Sequence, residues 1–309
     1  MRSLPRLWRD LLLVAAPVVL IMALAPFAYA NQLLLFNIVM FLSLAQGLNI
    51  IYGFTGYLPF GYVGFFGAGA YGFAIAVLHL HFPPLAALLA AGLASVALGL
   101  VLTPLLRLSG AYFAIANLAA AQAVYQIVSN PDLEWLTRGP YGITLTGTYA
   151  PVASYAAALA ILAGALILVA VLRNSRFGLA LQAIKDDPVS AAAAGVPVVR
   201  LRTAAWLLSA LVAGLVGGAY AWVIGTFYPE SVFDLGISIF AVVFTLFGGA
   251  ATLLGPVLGV LILYGVYNAI GINVPQYFQL TYGALIVGLV LFLPNGLVSL
   301  LTRRGARVP

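Results

Sequence analysis

Very few side chains in this sequence could perform chemistry, and the candidates are scattered. His79 and His81 are the only histidines. Two residues apart on a helix, they point about 200° away from each other, so they cannot share a metal ion by themselves. The acids that could be imagined as a catalytic carboxylate pair fall in two polar segments, which fits solvated loops or contacts to a soluble partner: Asp132, Glu134, Glu230 and Asp234.

The sequence around the one lysine does not match a nucleotide-binding motif. Lys185 is followed by two aspartates, and no glycine-rich loop leads to it. A P-loop requires GxxxxGKS or GxxxxGKT, in which backbone amides cradle the phosphate and the lysine neutralises its charge. Cysteine is absent, which excludes thiolate metal sites and cysteine nucleophiles. We therefore predict that the chain is not an enzyme and binds no cofactor itself; ATP and Mg²⁺, if used, bind to partner subunits.

Long apolar runs surround these residues and must position them. Of the 309 residues, 64% are hydrophobic and 6% are charged, whereas a soluble domain carries about 25% charged residues. Runs of roughly 20 uncharged residues are typical of membrane-spanning helices. We predict an all-α polytopic integral membrane protein with about ten transmembrane helices. The predicted spans are 11–29, 32–52, 60–79, 85–106, 111–129, 151–172, 203–225, 236–250, 256–272 and 278–294.

The distribution of basic residues predicts the orientation. With ten crossings that start inside, every arginine and lysine except Arg138 falls on the cytoplasmic side, as the positive-inside rule requires. Both termini are then cytoplasmic. The sequence AYA at 28–30 resembles a signal-peptidase site, but the run before it is long enough to cross, so we favour an uncleaved first span. No linker divides the chain, and we interpret 1–309 as one transmembrane domain with a cytoplasmic loop at 173–202.

That loop contains a short helix, 188–194, whose two ends are marked in the sequence. Asp187 suits the N-cap, Pro188 the first helical position and Gly195 the left-handed stop. An isolated helix of about seven residues is marginal in water, so it is expected to pack on a partner surface, either the body of this chain or another protein. Residues 175–185 are predicted to form an interfacial helix that continues from the sixth span.

Glycines are concentrated at the end of the second span and the start of the third: Gly53, Gly56, Gly61, Gly64, Gly67, Gly69 and Gly72. This run fits either close helix packing or a broken, re-entrant helix that lines a pathway. The GxxxG pairs Gly214/Gly218 and Gly255/Gly259 are expected to pack helices closely. No acid or base falls near the middle of a predicted span, so a proton-coupled carrier lacks its expected carboxylate or histidine.

From about 47 to 300 the sequence resembles the permease subunits of branched-chain amino-acid ABC importers. GLNIIYGFTGYLPFGYVGFFGAGAY at 47–71 looks like the family's glycine-rich third-span motif, and GAYFAIANLAAAQ at 110–122 resembles its fifth-span signature. The longest similar stretch is SRFGLALQAIKDDPVSAAAAGVPVVRLR at 175–202. Shorter similar stretches are LTRGPYGI at 136–143, FGGAATLLGPVLG at 247–259 and LPNGL at 293–297.

The resemblance implies a mechanism and a set of partners in a bacterial inner membrane. A second permease subunit forms the translocation pathway with this chain, two cytoplasmic ATP-binding subunits dock below, and an extracytoplasmic solute-binding protein delivers substrate; no nucleic acid takes part. The resemblance implies coupling to the ATP-binding subunits through Lys185, Asp186, Asp187, Pro188, Ala191, Ala194 and Gly195. Candidate pathway-lining residues are Gly56, Tyr57, Gly61, Tyr62, Gly64, Asn117 and Gln122.

Two questions stay open at the level of sequence. Similar permeases handle urea, amides, other amino acids and aromatic acids, so the substrate is not fixed. The alternative function is a self-sufficient channel or carrier for a small neutral solute such as urea or an amide. The loop at 173–202 discriminates between the two, because a channel has no use for a capped docking helix.

Overall fold

The protein is a helical bundle in a computed structural model that describes residues 6–148, 150–273, 283–284, 287–288 and 296–298. The first helix, α1 (Arg6–Asp10), continues through a π-helical turn at Leu11–Ala15 into α2 (Ala16–Ala28). Helix α3 (Gln32–Leu48) also ends in a π-turn, at Asn49–Gly53. The next helices are α4 (Val63–Leu78), α5 (Pro84–Val101) and, after a 3₁₀ turn at Thr103–Arg107, α6 (Gly110–Val128).

In the described residues of the second half, eight α-helices and one small sheet follow. The elements are α7 (Glu134–Thr137), β1 (Ile143–Thr144), α8 (Pro151–Arg173), α9 (Arg176–Asp186), α10 (Pro188–Ala193), α11 (Val198–Ile224), β2 (Thr226–Phe227), α12 (Pro229–Val232), α13 (Leu235–Gly248) and α14 (Leu254–Asn273). Strands β1 and β2 pair antiparallel, with Ile143 opposite Phe227.

Within the described residues, eight helical segments are long and apolar enough to cross a membrane, which confirms the all-α polytopic fold. Helix α4 is apolar but has only 16 residues, fewer than the roughly 20 that a perpendicular span requires. The tenth predicted span, 278–294, lies outside the described residues. Helix α5 ends at Val101 instead of continuing to 106, because Pro104 lacks an amide hydrogen and its ring obstructs the preceding turn.

Helices α4, α5 and α11 pack closely on one another, and small residues make this possible. A side chain added at Gly69 of α4 would meet the backbone of Gly214 on α11, and one at Gly218 would meet α5. In α14, Gly259 lies against the backbone of Phe244 on α13, and Gly255 lies against that of Gly249, the residue after α13. These approaches confirm the predicted close packing at both GxxxG pairs, since backbones in lipid associate through dispersion and weak hydrogen bonds.

One end of the bundle, which we call the basic end, gathers the last residues of α3, α5 and α8 with the first turns of α1 and α11. Here Nη1 of Arg202 donates to the carbonyl oxygen of Leu106 at 3.3 Å, and Arg173 lies 3.6 Å from Asp10. Helices α9 and α10 are attached at this end. Of the basic residues in the described part of the chain, all but Arg138 lie here.

The opposite end is closed by loops and by the small sheet. Nε1 of Trp222 donates to the carbonyl oxygen of Thr148 at 2.8 Å, which ties α11 to the residues after β1. Nε2 of His79 lies 3.2 Å from the carbonyl oxygen of Leu136. The acidic loop residues also lie at this end, and Asp234 accepts a hydrogen bond from the amide of Gly236 at the start of α13.

Candidate functional site

Helix α9 is a separate element at the basic end. Helix α8 ends at Arg173, and the hydroxyl oxygen of Ser175 accepts a hydrogen bond from the amide of Gly178, which caps a new helix. The prediction of one helix continuing from the sixth span is therefore wrong, because the Ser175 side chain competes for the amides of the first turn. Leu181 and Ile184 are buried and hold α9 against the bundle.

Helix α10 follows at once and has the ends that the sequence predicts. The Asp187 carboxylate accepts from the amides of Val189 (3.0 Å) and Ser190 (3.2 Å) and from the Ser190 hydroxyl. These hydrogen bonds, with that of the hydroxyl the largest, lower the pKa of Asp187. Gly195 follows the last turn at a φ of 85°, in the left-handed region. The capped helix is confirmed and ends at Ala193, one residue earlier than predicted.

Most of α10 faces away from the chain. Ala191 is 5% exposed and is the residue that packs on the bundle, whereas Val189 is 76% exposed. The other residues predicted to couple to a partner are exposed: Lys185, Asp186, Asp187, Pro188, Ala194 and Gly195. A short helix with a small apolar outer surface is suited to sit in a groove of another protein.

Lys185 differs from these neighbours because its ammonium group turns back toward its own chain. Nζ donates to the carbonyl oxygen of Gly53 at 3.0 Å, at the end of the π-turn of α3. A π-turn leaves backbone carbonyls without regular helical partners and is often found at functional positions. The hydrogen bond joins α9 to α3 across 132 residues of sequence.

The same π-turn is bonded to the loop between α13 and α14. Nδ2 of Asn49 donates to the carbonyl oxygen of Thr252 at 2.8 Å, and Oδ1 of Asn49 accepts from the amide of Ala251 at 2.8 Å. One turn earlier, Nε2 of Gln46 donates to the carbonyl oxygen of Leu253, also at 2.8 Å. Sequence reasoning missed both carboxamides; their spacing of three residues in an uncharged helix places them on one face and could have marked them.

The residues between α3 and α4 form a non-helical segment, 56–62, that reaches into the bundle. The amide of Gly61 donates to Oδ1 of Asn117 (2.7 Å), and the amide of Val63 donates to the hydroxyl of Ser238 (2.7 Å). Non-helical backbone at membrane depth requires such partners, because lipid offers none. The short α4 thus begins inside the bundle, as the broken-helix interpretation of the glycine run expects.

Four of the predicted pathway residues are buried within this chain: Gly61, Tyr62, Gly64 and Asn117. The Tyr62 hydroxyl donates to the carbonyl oxygen of Ser209 at 3.0 Å.

The other three predicted pathway residues are less buried. Gly56 and Gln122 are exposed. Tyr57 is half-buried beneath the guanidinium of Arg202, whose Cζ lies 4.4 Å from the centroid of the tyrosine ring.

An exposed stripe runs along α6 and contains Gln122. Residues on it recur every three or four positions and face outward: Tyr112, Ile115, Ala119, Gln122 and Gln126. Carboxamides facing hydrocarbon are unfavourable because their donors and acceptors find no partner there. This face of α6 is therefore suited to another protein surface or to an aqueous pathway.

Asp10 is a second site that sequence reasoning missed. It is 2% exposed, it accepts a hydrogen bond from Nδ2 of Asn174 at 3.0 Å, and it forms an ion pair with Arg173. The pair fixes the start of the first span to the end of α8, directly before α9. Among the described residues, no three His, Asp or Glu side chains gather as metal ligands would.

A family model for the permease component of branched-chain amino acid transport systems matches residues 28–293. The high-affinity branched-chain amino acid transport system permease proteins LivM of Salmonella typhimurium and of Escherichia coli are each 29% identical over 292 residues, which cover 84% of this chain and 68% of each relative. The fructose import permease protein FrcC of Rhizobium meliloti is 36% identical over 125 residues, or 38% of this chain and 34% of that relative. No solved structure matches the chain.

Proposed function

The chain belongs to the family of permease components of branched-chain amino acid transport systems, and from this premise we propose that it imports branched-chain or similar amino acids as the membrane-spanning subunit of an ATP-driven complex. In this complex a second permease completes the pathway, two ATP-binding subunits hydrolyse MgATP, and a solute-binding protein delivers substrate. The chain itself performs no catalysis. Amino acids are favoured over sugars because the amino acid permeases align with 84% of the chain and the fructose permease with 38%.

The observation that carries the proposal is the capped, outward-facing helix α10. Its N-cap and its left-handed stop order a helix too short to persist alone in water. Its exposed surface, centred on Val189, fits a groove of an ATP-binding subunit. A self-sufficient channel or carrier gives this surface no role.

The distribution of charge supports a cytoplasmic location for the basic end. The basic end carries almost all described arginines and the lysine, so we place it in the cytoplasm of a bacterium with an inner membrane, where the ATP-binding subunits are found. The solute-binding protein then docks at the opposite end, near the acidic loops. The stripe of α6 with Gln122 faces the second permease or the pathway between the two chains.

Substitution of Val189 tests the docking of α10. Val189→Asp adds a charge to the exposed apolar surface without touching the packing of Ala191, so the permease should insert and fold as before. The ATP-binding subunits should no longer co-purify with it, and ATP-dependent uptake of labelled leucine into proteoliposomes of the whole complex should stop. Tyr141→Asp is the matched control for co-purification of the ATP-binding subunits, because Tyr141 is 69% exposed at the opposite end of the bundle.

Two results would contradict the proposal. One is unchanged co-purification of the ATP-binding subunits with the Val189→Asp chain. The other is uptake of leucine, urea or an amide by this chain alone in proteoliposomes without ATP, which is the behaviour of a channel or carrier. Uptake of fructose but not leucine by the complete complex would keep the permease assignment and replace the substrate class.

A further inference from the structure

A cavity of about 480 Å³ opens at the basic end, between the 3₁₀ turn after α5 and the first turns of α11. Its polar part is formed by Arg107, Arg202, Thr103 and Thr203. Among the described residues no carboxylate lines it, so the two guanidinium groups give it a local charge of about +2 at neutral pH. A cavity with this charge balance selects for an anion.

Arg202 is held in position for such a ligand. Its guanidinium stacks on the ring of Tyr57, and Nη1 donates to the carbonyl oxygen of Leu106. Nε of Arg202 is buried and has no hydrogen-bond partner in the described part of the chain. Arg107 reaches the same cavity from the other wall and is itself exposed. Planar guanidinium groups match the oxygens of phosphate and carboxylate, and pre-positioning one of them reduces the entropy lost on binding.

The apolar part of the cavity indicates what the anion is attached to. Leu100 is 55% exposed and Val199 is 75% exposed, and both line the cavity beside the arginines. Leu100 lies near the end of a membrane-spanning helix, where the hydrocarbon gives way to headgroups. A ligand that fills both parts carries an anionic group next to an aliphatic chain, which is the chemistry of a phospholipid at the membrane surface.

We propose that this cavity binds the phosphate of an anionic phospholipid, with Arg107 and Arg202 on the phosphate and an acyl chain along Leu100, which lies on the bilayer side of both arginines. The site requires only that the basic end lies at a membrane surface, so it stands independently of the transport function. The same phosphate chemistry could come from free inorganic phosphate, which lacks the apolar portion.

The test is native mass spectrometry of the full-length chain released from nanodiscs of phosphatidylcholine with or without phosphatidylglycerol. Wild type should retain a bound phosphatidylglycerol that it does not exchange for phosphatidylcholine. Arg107→Gln should retain it roughly fivefold less, as expected for the loss of one interfacial arginine. Arg200→Gln is the matched control, since Arg200 is exposed two residues before Arg202 and does not line the cavity.

Arg202→Gln should also reduce the retention of phosphatidylglycerol, but this substitution could disturb folding. Arg107 is exposed, so the result for Arg107→Gln does not depend on a folding defect at Arg202. Equal retention by the Arg107→Gln and Arg200→Gln chains would overturn the site, and so would equal retention of the two lipids by wild type. In a separate arm, inorganic phosphate is added to the phosphatidylglycerol nanodiscs. Displacement of the lipid by millimolar phosphate would identify a free-anion site and overturn the lipid assignment, whereas no displacement supports it.

Discussion

The ammonium group of Lys185 lies 3.0 Å from the carbonyl oxygen of Gly53, so the segment proposed to meet an ATP-binding subunit is bonded to the π-turn of α3. Asn49, in the same turn, is bonded to the loop before α14. We expect a displacement of α9 to act on α3 and, through Asn49, on that loop. The prediction that Lys185 couples to the ATP-binding subunit stays a prediction, and this hydrogen bond favours a positioning role within the permease.

Lys185→Met should uncouple transport without preventing assembly. The substitution removes a partly buried hydrogen bond from a charged donor, worth about 1 kcal/mol after allowance for its exposure, or roughly a fivefold loss of coupling. The measurement is substrate imported per ATP hydrolysed in proteoliposomes. Lys185→Arg keeps a cationic donor and should retain most of the coupling. Loss of the ATP-binding subunits on purification of the Lys185→Met complex would show that the lysine contacts them directly.

Gly195→Val should disorder the end of α10 and reduce uptake. At a φ of 85° a β-branched residue is strained by about 1–2 kcal/mol, although no atom of the described residues lies within 4 Å of the position of its Cβ. Asparagine tolerates this region of φ, so Gly195→Asn should transport nearly as wild type. Uptake by the two variants in the complete complex is the measurement, and equal activity would mean that the left-handed stop is dispensable.

Gly69→Leu should destabilise the bundle, because its side chain would enter the backbone of Gly214 on α11. Overpacking of this kind costs about 1–3 kcal/mol, and the thermal midpoint of the purified chain in detergent should fall by roughly 5 °C. Gly164→Leu is the control, since Gly164 on α8 has open space around it. A midpoint equal to that of the control would contradict the close contact of α4 and α11.

Asn117 and Gln122 lie on the same helix and should give opposite phenotypes. Asn117→Leu leaves the buried amide of Gly61 without its acceptor, which costs about 1 kcal/mol and lowers the thermal midpoint by about 2–4 °C. Gln122→Leu changes an exposed position and should leave the midpoint unchanged while altering the rate of uptake. A lower midpoint for both, or unaltered uptake by Gln122→Leu, would remove Gln122 from the pathway.

Local patterns account for what the sequence predicted correctly. Run length and the absence of charge predict the spans, since a helix in lipid satisfies its own backbone. The Asp187 cap and the Gly195 stop are also local; α10 begins where the sequence indicates and ends within one residue of the predicted position. The predicted continuation of the sixth span into α9 fails at Ser175, because its hydroxyl accepts from the amide of Gly178 and begins a new helix within a sequence that is helical on either side.

The sequence by itself thus determined the class of protein, its family resemblance and the capped helix, because each depends on residues that are neighbours along the chain. The tertiary structure decided that Lys185 turns inward, that Asn117 and Ser238 accept from the amides at Gly61 and Val63, and that Arg107 and Arg202 share one cavity. Those partners are separated by 132, 56, 175 and about 95 residues. Side chains so far apart meet only through helix packing, and no local pattern encodes which of them face each other.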